Sequence, residues 1–107
     1  MDPSPTQTAF INVIGASSYK TLLGVRINPT GDGPVQAKIH LPDGNYVTVP
    51  ITTVTVINQK DAEPYPSSAL TVNGKTIATK KCFYLNVLVE IFGDCTVSVA
   101  EDSFNDH

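Results

Sequence analysis

A hydrolytic site needs a nucleophilic Ser or Cys beside a base that a third group orients. The nearest approach in this chain is His40 with Asp43 three residues on. Its spacing places His40 on the outward face of a strand beside a turn aspartate, an ordinary surface arrangement, and His107 is expected to be too mobile for a base. Paired carboxylates for glycoside chemistry would come from Asp43, Asp61, Glu63, Glu90 or Asp94. All but Glu90 fall in turn-like stretches, where Asp bonds its own backbone. Cys82, Cys95 and His40 lack the paired spacing of a metal site. Gly31-Asp32-Gly33 precedes Pro34 and a strand, where a phosphate-cradling loop would open a helix. The chain therefore reads as non-enzymatic, with no catalytic residues, no metal and no cofactor.

Two other sets of residues point to binding. Lys20, Arg26 and Lys38 fall on outward strand positions, with Tyr46 across a turn. Spaced cations and an aromatic ring on a sheet are how small barrels hold single-stranded nucleic acid. The second set is Tyr84, Leu88 and Phe92, on what reads as the outer face of a strand from Cys82 to Phe92. An apolar stripe on a low-charge strand marks either a doubly covered strand or a subunit interface.

The elements that would carry these residues are strands. Val, Ile and Thr dominate, with apolar spacing of period two. Leu23, Val25 and Ile27 alternate with polar neighbours, as do Val35, Ala37, Ile39 and Leu41. Pro42-Asp43-Gly44 predicts a three-residue hairpin loop with Gly44 left-handed, pairing Ile39 with Val47 and Ala37 with Val49. From Asn45 to Ile57 the apolar phase changes from odd (Val47, Val49, Ile51) to even (Val54, Val56), which predicts a bulge or bend near 50–53, of the kind by which sheets turn corners into barrels and sandwiches. Residues 58–68 read as a polar, Pro-punctuated loop, and Asn73-Gly74 as a type I′ turn opposing Leu70 and Ile77. A turn at Phe92-Gly93-Asp94 predicts a last hairpin aligning Val89 with Val97. Its geometry leaves Cys82 and Cys95 at opposite ends, unbridged. With no helical window, the expected class is all-β: one antiparallel sandwich or barrel of about seven to eight strands.

The 107 residues suit one domain, expected at 9–100 between an N-terminal arm (1–8) and a short acidic tail (101–107). A charged fraction of 16% beside 41% hydrophobic residues excludes disorder. Residues 3–100 hold seven Lys and Arg against six Asp and Glu, so no strongly basic surface awaits nucleic acid or anionic membrane. The start Met1-Asp2-Pro3-Ser4-Pro5 is not a signal peptide, and the expectation is an intracellular or virion protein without membrane contact.

No family is recognised over the whole chain. Val49-Pro50-Ile51-Thr52-Thr53 resembles a strand motif of nucleoplasmin-like histone chaperones, and Phe83 to Val99 resembles their last hairpin. That resemblance implies a small all-β oligomer with an acidic tail. Taken together, the residues favour a self-associating structural or binding component, of the kind found as small virion, capsid-decorating or scaffold proteins. The alternatives are a single-stranded nucleic-acid-binding barrel and, third, the histone-chaperone core.

Overall fold

The computed structural model describes residues 4–16, 19–62, 67–81, 84 and 86–105, with backbone alone at 13–16, 19–22 and 102–105. It is all-β, as the alternating pattern requires. Among the described residues nine strands, against the seven to eight expected, follow one another: β1 (Gln7–Ala16), β2 (Tyr19–Pro29), β3 (Gln36–His40), β4 (Tyr46–Pro50), β5 (Thr55–Ala62), β6 (Ser67–Val72), β7 (Lys75–Lys81), β8 (Val87–Phe92) and β9 (Cys95–Asn105). Every pairing is antiparallel, and the path β4-β3-β8-β1-β2-β5-β6-β7 wraps almost into a barrel, with β9 on the other side of β2.

One strand joins the two halves of the wrap. Gln7–Ile11 of β1 pairs with β8, and Asn12–Ala16 turns to pair with β2. The result is a front sheet, β4-β3-β8-β1, and a rear sheet built on β2. Alternation aims Ile11, Ala37, Ile39, Val89 and Ile91 from the front onto Val25, Ile27, Ile57 and Leu70 from the rear, all of them buried.

Gly24 sits where β2 changes partners, since β1 occupies its edge up to Leu23 and β5 takes over from Val25. A Cβ there would lie 2.4 Å from the Ile57 carbonyl oxygen and 2.5 Å from the Asn58 Cβ. Only glycine lets the three strands meet.

The hairpin of β3 and β4 has the expected register, Ala37 with Val49 and Ile39 with Val47, and Gly44 is left-handed at φ 93°. The turn at Asn73 (φ 50°) and Gly74 (φ 83°) is of the I′ kind, but a bulge between Leu70 and Thr71 shifts Leu70 opposite Ala78 instead of Ile77.

Elsewhere the structure corrects the sequence reading. The expected bend near 50–53 is where the chain turns from the front sheet to the rear, but the run from Asn45 to Ile57 is two strands, since β4 stops at Pro50 and β5 starts at Thr55. The Ile51 N–H bonds the Val35 carbonyl at 2.8 Å in this crossing. Beyond it the inward residues are Thr55, Ile57 and Gln59, whereas Val54 is 46% exposed. The supposed loop at 58–68 is mostly strand, in β5 and β6, with 63–66 outside the described residues. β1 begins inside the expected arm, at Gln7, and β9 continues through the expected tail to Asn105.

The last hairpin is also not formed. Both edges of β8 are taken, by β1 and β3, so β9 crosses to pair with β2. Gly93, at φ 113°, makes that crossing. The hairpin half of the chaperone resemblance falls with it. Cys82, Phe83 and Leu85 lie outside the described residues, and Cys95 is a free thiol.

Candidate binding face

The outward face of the front sheet gathers residues from both predicted sets. Alternation on β3 sends Gln36, Lys38 and His40 outward, on β8 Leu88, Glu90 and Phe92, on β4 Tyr46 and Thr48, and on β1 Thr8 and Phe10. Register then fixes their neighbours. Lys38 lies between Thr48 and Glu90, Thr8 lies beyond Glu90, and Phe10 stands opposite Leu88.

Polar side chains on this face hold one another. His40 Nε2 and Glu90 Oε1 are 2.5 Å apart, so the carboxylate partner of His40 is Glu90 and not Asp43. Asp43 instead closes its own turn, accepting from the Asn45 backbone N–H at 2.9 Å and its side-chain amide at 3.1 Å. The Lys38 ammonium sits 4.2 Å above the Tyr46 ring centre, a cation–π contact. With side chains 36% and 25% exposed, the His40–Glu90 pair contributes less than about 1 kcal/mol to stability and serves mainly to order the face. A shallow groove of about 450 Å³ runs over Gln36, Lys38, Thr48 and Glu90, bounded by Pro5, Tyr46 and Phe92.

The apolar part of the face is exposed. Phe10 is 53% and Tyr46 57% accessible, and Leu88 and Phe92 are half-buried. Phe10 was missed by the stripe argument, although the signal was present. With Ala9 and Ile11 turned inward, alternation sends Phe10 out.

Tyr84 does not belong to this face. It is 3% exposed and part of the core, because it lies outside the strands and its backbone is bonded to Gln59 of β5. Gln59, wholly buried, donates from Nε2 to the Tyr84 carbonyl at 2.8 Å and accepts the Tyr84 N–H on Oε1 at 2.7 Å. The side-chain amide thus completes both main-chain bonds of a residue with no strand partner. Sequence reasoning placed Gln59 in a loop because nothing local marks a glutamine as buried.

Burial, with a smaller contribution from Asp43, pushes the Tyr84 phenol above its ordinary value of 10.0. Unfolded Tyr84 ionises first as pH rises, so this part of the stability is intact below pH 10.0 and is lost as the pH climbs to the folded value. Alkaline titration followed by circular dichroism is expected to show stability falling above about pH 10. Tyr84→Phe should flatten that slope, and an unchanged slope would remove Tyr84 from the explanation.

The predicted nucleic-acid set does not form one surface. Lys38 and Tyr46 are together on the front sheet, but Arg26 is exposed on the outward side of β2, beyond the core. The side chain of Lys20 lies outside the described residues.

Burial, then Asp94, raises the pKa of the half-buried Cys95 thiol, and Gln7 Nε2 caps its carbonyl at 2.9 Å. A thiol raised in this way is a poor nucleophile at neutral pH. Among the described residues no group of three or more His, Cys, Asp or Glu could hold a metal ion, and no helix is long and apolar enough to cross a membrane. The chain matches no family model, no curated protein and no solved structure.

Proposed function

We propose that this protein is a non-enzymatic, self-associating component of a larger assembly, and that two copies meet through the outward face of the front sheet. One observation carries the reading: Phe10 and Tyr46, more than half exposed, share that face with Leu88 and Phe92. Small soluble domains seldom leave such rings bare unless something covers them. The surrounding charge suits a second copy. Lys38 and Glu90 are cross-strand neighbours, so a two-fold axis through the face can set the Lys38 of each copy against the Glu90 of the other.

Sedimentation equilibrium at tens of micromolar tests this. The wild-type chain is expected to associate, and Phe10→Asp and Leu88→Asp should each weaken association at least about ten-fold, the loss of one central apolar anchor. Both positions reach solvent, so both variants should fold. Unchanged association in both would overturn the reading.

A further inference from the structure

A barrel that does not close leaves strand edges, and a bare edge is a template for another strand. Three strands here have an edge that no described strand pairs: β4, β7 and β9. The first two are protected. β4 is five residues long and ends in Pro50, which has no N–H to offer. β7 carries Lys75, Lys80 and Lys81 in seven residues, a density of cations that repels an incoming strand.

The first six residues of β9, before its acids Glu101 and Asp102, have neither safeguard. Cys95-Thr96-Val97-Ser98-Val99-Ala100 contains no charge, no proline and no glycine, and four of its six side chains are β-branched or cysteine. One side of β9 is bonded to β2 along its whole length, so on its other side alternate residues aim N–H and C=O groups outward. Val99 is also anomalous. It pairs with the buried Val25, which puts it on the core side of the sheet, yet it is 65% exposed. An apolar side chain facing coreward at an open edge lacks the next strand that would cover it. Ala100, on the other face beside Gly24, is already buried.

We infer that the Thr96–Ala100 edge of β9 is a strand-addition site whose occupant is β9 of a second copy, running antiparallel about a two-fold axis near Val99. The self-pairing follows from the strand itself. No charge lies between Cys95 and Ala100, and pairing about Val99 puts the acids Glu101 and Asp102 of the two copies at opposite ends of the contact, so each valine can cover the other without repulsion at the centre. This contact lies on an edge of the rear sheet, away from Phe10 and Tyr46. Two different two-fold contacts on one chain link copies into closed or open assemblies larger than a dimer.

The test works in the Phe10→Asp chain, so that the front face is disabled. At about 100 µM, where contacts of modest affinity are populated, that chain is expected to remain a dimer by sedimentation equilibrium. Adding Val99→Lys should make it monomeric, because two lysines would face each other across the axis. Adding Val99→Glu should do the same, and an equimolar mixture of these two double variants should return to the dimer. Circular dichroism of each variant checks that it is folded, which the exposure of Val99 favours. If the Phe10→Asp chain is already a monomer, or stays a dimer with Val99→Lys, the edge is not the contact. Failure of the front-face reading would show separately, as a Phe10→Asp chain that associates as strongly as wild type.

Discussion

Gln59→Leu is expected to lower folding stability by about 4 kcal/mol, since it strands two buried main-chain groups at about 1–3 kcal/mol each. Leucine has nearly the volume of glutamine, so the loss reports hydrogen bonding and not a cavity. The Tyr84 N–H and C=O, bonded at 2.7 and 2.8 Å to the two ends of the Gln59 amide, have no strand neighbour to replace it. Against a total stability of about 5–15 kcal/mol the effect would be plain in the urea midpoint. A loss below about 1 kcal/mol would mean that the segment finds other partners. Gln59→Glu separates the two bonds. A carboxylate accepts the N–H but opposes the carbonyl, whereas a protonated carboxyl serves both. Burial would hold that carboxyl's folded pKa above its unfolded value, so the variant should recover stability as pH falls and lose it as pH rises.

Gly93→Ala should destabilise the protein by about 3–5 kcal/mol, by combining left-handed strain with a main-chain collision. The residue has φ 113°, and an added Cβ would lie 2.3 Å from the Pro34 carbonyl oxygen and 2.9 Å from the Val35 Cα. Neither backbone atom can move aside without shifting the chain that leads into β3. Gly44→Ala is the internal control. Its φ is also positive, at 93°, but nothing lies within 4 Å of the new Cβ. It should cost only the strain, about 1 kcal/mol. Equal losses in the two variants would show that backbone conformation, and not packing, explains Gly93.

These two sites show where sequence reading stopped. The β3–β4 register and the Asn73-Gly74 turn itself were legible because a turn's information is local, whereas the bulge at Leu70/Thr71, just before that turn, carried no such signal. The all-β class followed from period-two spacing, whereas the expected seven to eight strands fell short of the nine described, with 58–68 read as a loop. Partner choice did not, since β8 and β9 have the alternation and short connection of a hairpin, yet each found other neighbours. Which edge a strand bonds depends on chain far away in sequence. The same limit explains Gln59 and Tyr84, whose meaning exists only when the two, 25 positions apart, come together. Of the binding face, Leu88, Phe92, Lys38 and Tyr46 were found separately, and only the registers of β1, β3 and β8 showed them to be neighbours.

The split duty of β1 has a consequence for how the chain can fold as it is made. Its first half bonds only β8, and the Thr6 hydroxyl reaches the Ile91 carbonyl across 85 positions. β2 in turn needs β9 along its full length. The first half of β1 and the outer edge of β2 therefore wait until β8 and β9 have emerged. The second half of β1 with β2, β3 with β4, and β5–β6–β7 can pair promptly with near neighbours. A topology so rich in distant pairings folds slowly. During that wait the open strands of β1 and β2 are where a chaperone, or a second nascent copy, would find its opening.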